Sequence, residues 1–220
     1  MEDSLPGGEW VVHLYHAVLT RSVRIYWLLE ELGIQYAIVP VVFTPPDRPG
    51  GVRSEKTPEH LAVSPLGKVP AIRDGDVTMF ESGAILEYLI ERYGNGRFAP
   101  KPGERQRGAY LQWVHFAEAT FQRALDDIFS HEHARAQEER ILSVATDARE
   151  RATAAVDVLE SALNGRNYLL GAELSGADIM MGYTLLSSKY FGVLTDQRRN
   201  ASAYLAHLLA RPAFRKALSP

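Results

Sequence analysis

The amino-acid sequence predicts an α/β domain followed by an all-α domain. Three observations carry that reading. Strand-like and helix-like patterns alternate from Trp10 to Tyr93, Asp74-Gly75 marks a hairpin between two short strands, and no convincing strand pattern recurs after Gly103. The 220 residues suffice for one large domain or two small ones with an adequate core.

Residues 1–9 read as a tail, and Trp10-Val11-Val12-His13-Leu14-Tyr15 as a buried first strand. Residues 21–32 form a helix with Ile25, Leu28, Leu29 and Leu32 on one face, stopped by Gly33. A second strand over 36–42 completes a β-α-β unit with a right-handed crossover. Residues 44–51 are a loop dense in proline and glycine, and a short helix is expected near 54–62. The Val69 strand then turns at Asp74-Gly75 and returns through Val77 to Phe80. A helix from Glu81 closes the unit with Leu86, Leu89, Ile90 and Tyr93 on one face. The expected division is thus a tail at 1–9, a first domain at 10–93, a linker at 94–103 and a helical domain at 104–220. Within the last, helical patterns cover 104–130, 138–163, 175–190 and 201–209.

The bulk properties exclude several classes of function. A net charge of −3 gives no basic field for nucleic acid. No apolar run reaches the ~18 residues of a membrane span. Glu2 and Asp3 stand where a secretory signal would carry positive charge, so a cytoplasmic protein is expected. With no cysteine, the chain has neither a disulfide framework nor a thiol nucleophile of its own. Any thiol must come from a ligand.

The stretch from Gly67 to Glu87 has the makings of a site for a small anionic peptide. Val69, preceding proline, is pushed to extended geometry and can present its N–H and C=O like an open sheet edge. Pro70 can hold the turn, and a cis Val69-Pro70 bond is accessible at ~0.5–1 kcal/mol. The helix that starts at Glu81-Ser82 offers free N–H groups and a positive dipole end to a carboxylate. Ser82 adds a hydroxyl, and Glu81 a counter-charge for an ammonium.

On Gly67-Lys68-Val69-Pro70 and Glu81-Ser82-Gly83-Ala84-Ile85-Leu86, the chain resembles the cytosolic glutathione S-transferases of serine or threonine type, in a bacterial or fungal-like form. The resemblance runs from Trp10 onward. It implies a thioredoxin-like first domain, an all-helical second domain, glutathione as co-substrate, no metal, a homodimer and a role in detoxification. It also implies that Val69 pairs with the cysteinyl backbone of glutathione, that Glu81 and Ser82 hold its γ-glutamyl end, and that Lys68 lies near the glycyl carboxylate. The cysteine-based branches of the family are excluded by composition. The maleylacetoacetate isomerase branch lacks its motif here.

A free thiol of pKa ~8.5 is only ~3% ionised at pH 7, and lowering it by ~2 units, ~2.7 kcal/mol, would ionise about three-quarters. A hydroxyl at a helix N-terminus can supply such stabilisation. In serine-type members the catalytic hydroxyl precedes an arginine of the first helix by four residues, a register that lands on Thr20 before Arg24. Serine is commoner than threonine there, so Ser22 stays open, as does Tyr15 by likeness to tyrosine-using classes. Each hydroxyl also has a bland role: Thr20 or Ser22 as a helix cap, Tyr15 as a packing residue.

The electrophile site implied by the resemblance lies between the domains, with Tyr110, Trp113, Val114 and Phe121 as its apolar candidates; each reads equally well as helix core. His115 can border that pocket or simply pack. His131-Glu132-His133 has spacing that separates its two imidazoles on a helix, and reads as a solvated helix end rather than a metal site. Ser175-Gly176-Ala177-Asp178 is a capping box with Asp in place of Glu, which assigns Asp178 to folding. The expected activity is conjugation of glutathione to an apolar electrophile. The alternatives are reduction of small disulfides or peroxides through a second glutathione, and a non-catalytic glutathione-binding or interaction protein of the same fold.

Overall fold

The structure is a computed structural model that describes residues 11–44, 53–54 and 56–219. The expected tail, Trp10 and most of the 44–51 loop lie outside the described residues. Among the described residues, one compact unit takes in 11–44, 53–95 and 212–219, and the other 96–211.

In the first unit, β1 (Val12–His16) is followed by α1 (Ser22–Leu32) and β2 (Tyr36–Pro40), and β1 and β2 pair in parallel from Val12↔Tyr36 to His16↔Pro40. Helix α1 forms because its apolar positions recur at helical spacing: Ile25, Leu28 and Leu29 are fully buried, and Gly33 ends the helix in the left-handed region at φ 69°. A two-residue ladder joins β3 (Phe43–Thr44) to β4 (Arg53–Ser54). Helix α2 (Pro58–Val63) therefore starts later than the expected residue 54, at the point where the Thr57 side chain accepts the His60 N–H at 3.1 Å and Pro58 takes the first helical position. Then come β5 (Ala71–Asp74), β6 (Val77–Phe80) and α3 (Ser82–Tyr93). The four-stranded sheet has the order β2-β1-β5-β6, a mixed sheet of thioredoxin-like plan.

A buried carboxylate ties the hairpin to α3. Asp74 accepts hydrogen bonds from the Tyr88 and Tyr93 hydroxyls at 2.8 Å and pairs with Arg92 Nε at 3.2 Å. Burial first, and then the bond to Asp74, push the Tyr88 phenol up to about 12, so it stays a donor.

The second unit opens with α4 (Arg107–His115), a π-helical segment (Phe116–Phe121), α5 (Gln122–Phe129) and a second π segment (Ser130–Ala134). This run replaces the expected helix over 104–130. At the first π segment the Ala117 carbonyl accepts from the Gln122 N–H and, at 3.3 Å, from Thr184 Oγ1. A 3₁₀ turn (Gln137–Glu139) precedes α6 (Leu142–Ala162); α7 (Gly176–Tyr190) and α8 (Arg199–Leu209) follow. Helix α7 is buried over most of its length, the mark of a central helix. Its capping box is formed by Ser175 and Asp178.

Helix α9 (Pro212–Leu218) groups with the first unit, whereas the sequence reading gives it to the second. The cause is a long-range contact that no local pattern reveals: Phe214 stacks on Trp27 with ring centroids 4.0 Å apart and planes within 6°. Lys216 adds an ion pair to Glu30 at 2.8 Å. Among the described residues, no helix is long and apolar enough to cross a membrane.

Candidate active site

The strand register gathers the expected site at one end of the sheet. Tyr15 pairs with Ala71, and Ala71 with Phe80. The chain therefore leaves β1, enters β5 and leaves β6 at the same edge. Residues 17–22, 67–70 and 81–84 emerge side by side there, across two strand spacings, or ~10 Å.

The middle segment is held by its neighbours, with Val69 outside the strand ladder. The Lys68 N–H donates to Ser64 Oγ at 3.1 Å, and the Lys68 carbonyl lies 3.2 Å from His60 Nε2. His60 is itself buried and stacked on Tyr15 at 5.5 Å. Gly67 adopts φ 62° and donates to the Ser64 carbonyl at 2.7 Å; a Cβ there would stand 2.8 Å from Lys56 Cγ, so Lys56 lies over this turn. The Val69-Pro70 bond is cis. Strand pairing begins only at Ala71, so the N–H and C=O of half-buried Val69 are outside the ladder.

At the third segment, Glu81 is exposed and sits at φ 77°, a left-handed conformation uncommon for a residue with a Cβ. The first intrahelical bond of α3 runs from the Ile85 N–H to the Glu81 carbonyl at 3.0 Å. The N–H groups of Ser82, Gly83 and Ala84 therefore have no acceptor within the helix, and the dipole adds positive potential at that point. Ser82 is 3% exposed at this terminus.

The first segment holds the hydroxyls. Thr20 is half-buried, and its Oγ1 lies 2.8 Å from both the Ala17 carbonyl and Ser22 Oγ. Ser22 is fully buried; its Oγ accepts the Ala17 N–H at 3.1 Å and lies 2.8 Å from His16 Nδ1. Burial pushes the His16 imidazole down to about 4, which keeps it neutral near pH 7. Tyr15, on the opposite face of β1 from His16, donates to Glu59 and accepts from Arg73, both at 3.4 Å. Burial raises its phenol, and Glu59 adds to the effect against the opposing charge of Arg73. Tyr15 is thus committed to β5 and α2.

In the helical unit, Tyr110 and Phe121 are fully buried, Val114 is 1% and Trp113 7% exposed. Trp113 meets Phe116 edge-on at 5.4 Å, while His115 is exposed. His131 Nδ1 accepts the Ile141 N–H at 3.1 Å, Glu132 pairs with Arg149 through both oxygens, and His133 stacks on Phe191 at 5.6 Å. Arg149 holds the Glu132 carboxyl below its ordinary range. Among the described residues, no group of three acidic or imidazole side chains could hold a metal.

Three residues of this region escape sequence reasoning: His16, His60 and Lys56. A histidine ending an apolar strand is the only local signal among them, and its partners become visible only in the fold.

Comparison with known proteins identifies the family. The glutathione S-transferase N-terminal domain family matches residues 10–91. Glutathione S-transferase 1 of Zea mays is 30% identical over 214 residues, covering 92% of this chain and 94% of its own. A glutathione S-transferase of Hyoscyamus muticus is 30% identical over 215 residues, with coverage of 92% and 94%. A solved glutathione transferase from Pseudomonas putida, with one glutathione disulfide bound per subunit, superposes with a TM-score of 0.80 at 27% identity over 98% of this chain and 93% of that one. The chain belongs to the glutathione S-transferase family, as a transferase whose co-substrate is glutathione.

Proposed function

We propose that glutathione lies along the sheet end, its cysteinyl backbone paired with Val69 next to Pro70, its γ-glutamyl group on Glu81 and Ser82, and its glycyl carboxylate near Lys68. Thr20 then donates its hydroxyl hydrogen to the sulfur, and the thiolate attacks an apolar electrophile. The observation that carries this reading is the register Tyr15↔Ala71↔Phe80, which brings the hydroxyl, the open backbone of Val69 and the start of α3 to one edge. Thr20 is favoured over Ser22 because Ser22 is fully buried among protein partners, while Thr20 is partly exposed. Catalysis is then mainly positioning and thiolate stabilisation.

Tyr110, Trp113, Val114 and Phe121 are the apolar candidates for the electrophile, and their burial supports the alternative role of helix core. A homodimer and a cytoplasmic role in detoxification complete the proposal. A second reading, reduction of disulfides through a second glutathione, draws support from the glutathione disulfide held by the P. putida transferase.

Calorimetric titration with glutathione tests the binding half, followed by a panel of apolar electrophiles and small disulfides. Saturable binding with conjugate formation is expected. No heat at millimolar glutathione would point to an interaction protein, and turnover of disulfides alone would favour the reductase reading.

A further inference from the structure

We propose that His16 is a positioning residue for the thiolate: as its Nδ1–H tautomer it orients the Ser22 hydroxyl, which in turn aims the Thr20 hydrogen at the bound sulfur. This rests on the reading of Thr20 given above and extends it to a buried chain of three side chains.

The hydrogen-bond inventory decides the direction of the chain. A hydroxyl has one hydrogen to give and two lone pairs to receive with. Ser22 Oγ has the Ala17 N–H at 3.1 Å, His16 Nδ1 at 2.8 Å, Thr20 Oγ1 at 2.8 Å and the Ala17 carbonyl at 3.2 Å around it. If His16 donates from Nδ1, both lone pairs of Ser22 are taken, and its own hydrogen has two acceptors, of which Thr20 Oγ1 at 2.8 Å is nearer than the Ala17 carbonyl at 3.2 Å. Thr20 Oγ1 then receives from Ser22 Oγ and from the Ser22 N–H at 3.3 Å, so its remaining capacity is a single outgoing hydrogen. In the structure that hydrogen has the Ala17 carbonyl at 2.8 Å. A thiolate competes well for it, because a charged acceptor makes a bond roughly twice as strong as a neutral one.

In the other tautomer Ser22 would donate to His16 Nδ1 and keep a lone pair open to Thr20, so the Thr20 hydrogen would have a second inward acceptor, Ser22 Oγ, beside the Ala17 carbonyl. His16 Nε2 would then carry a hydrogen, yet Nε2 is buried with no hydrogen-bond partner among the described residues. A buried N–H without an acceptor is rarer and costlier than a bare lone pair in the same place. The ring is held in position by Tyr26, edge-on at 5.3 Å, and by β1 itself, where the His16 carbonyl accepts the Val41 N–H at 2.8 Å. Its lowered pKa keeps the imidazole neutral near pH 7, so one tautomer suffices across the working range.

The first test is the tautomer, read from the ring nitrogen shifts of His16 in ¹⁵N-labelled wild-type protein with glutathione bound. A proton on Nδ1 is expected; a proton on Nε2 overturns the proposal. The second test is the bound-thiol pKa, from thiolate absorbance against pH, in His16→Leu, His16→Asn and Thr20→Val. His16→Leu should raise it by about one unit, the scale of one hydrogen bond, with little change in glutathione affinity. His16→Asn sets an amide N–H near the position of Nδ1 and should restore most of the shift. An unchanged thiol pKa in His16→Leu also overturns the proposal. Thr20→Val separates the two layers: a raised pKa there with none in His16→Leu removes His16 alone, whereas no change in Thr20→Val removes the role of Thr20 as well.

Discussion

Asp178→Ala should destabilise the protein by ~3–5 kcal/mol, the largest loss expected from any single substitution outside the apolar core. Asp178 is fully buried and serves four donors: the Leu169 N–H at 2.8 Å, the Tyr204 hydroxyl at 2.8 Å, and the Ser175 N–H and hydroxyl at 2.8 and 2.7 Å. Burial pushes the carboxyl up and the four bonds pull it back. Removing the acceptor strands these donors in places that are themselves buried, Leu169 at 1%, Tyr204 at 3% and Ser175 at 5% exposure. Each stranded donor costs ~1–3 kcal/mol before relaxation. Asp178→Asn keeps one oxygen and should fall between. Urea unfolding with an unchanged slope reports the loss; a shift below ~1 kcal/mol would show that the capping box is not a main support of α7.

The second large effect concerns binding. Ser82→Ala removes a hydroxyl from the start of α3, and Glu81→Ala removes a carboxylate placed for an ammonium. Each should cost ~1.5–3 kcal/mol of a charge-assisted contact, a tenfold or greater loss of glutathione affinity. Glu81 sits at φ 77°, so Glu81→Gly relieves the backbone while deleting the carboxylate. Its stability should hold while its affinity falls. Calorimetry beside thermal unfolding distinguishes the two. Wild-type affinity in all three variants would remove Glu81 and Ser82 from the ligand.

Local signals in the sequence were enough for the elements that position the site. The stripe of Ile25, Leu28, Leu29 and Leu32, the Asp74-Gly75 turn and the Ser175/Asp178 box are each readable within a few residues, and the structure contains all three. What escaped depends on residues far apart in the chain. Helix α9 joins the first unit through Phe214 on Trp27, a partner near the other end of the chain. The π segments change which carbonyl is bonded but scarcely alter the spacing of apolar residues, so the pattern reads as one ordinary helix. The choice between Thr20 and Ser22 rests on burial, and two hydroxyls two positions apart look alike until the fold covers one of them. His16 reads as a polar end to an apolar strand, and its bond to Ser22 depends on how the chain turns between β1 and α1.

The central claim is that a hydroxyl of Thr20 stabilises the glutathione thiolate. The direct measurement is thiolate absorbance of the glutathione complex against pH, in wild type and in Thr20→Val, with affinity measured in parallel. Wild type should show a bound thiol ~2 units below its free value of ~8.5, about three-quarters ionised at pH 7. In Thr20→Val the pKa should climb back toward the free value while affinity changes little, leaving only ~3% thiolate at pH 7 in the limit. Superimposable titration curves for the two proteins would contradict the claim.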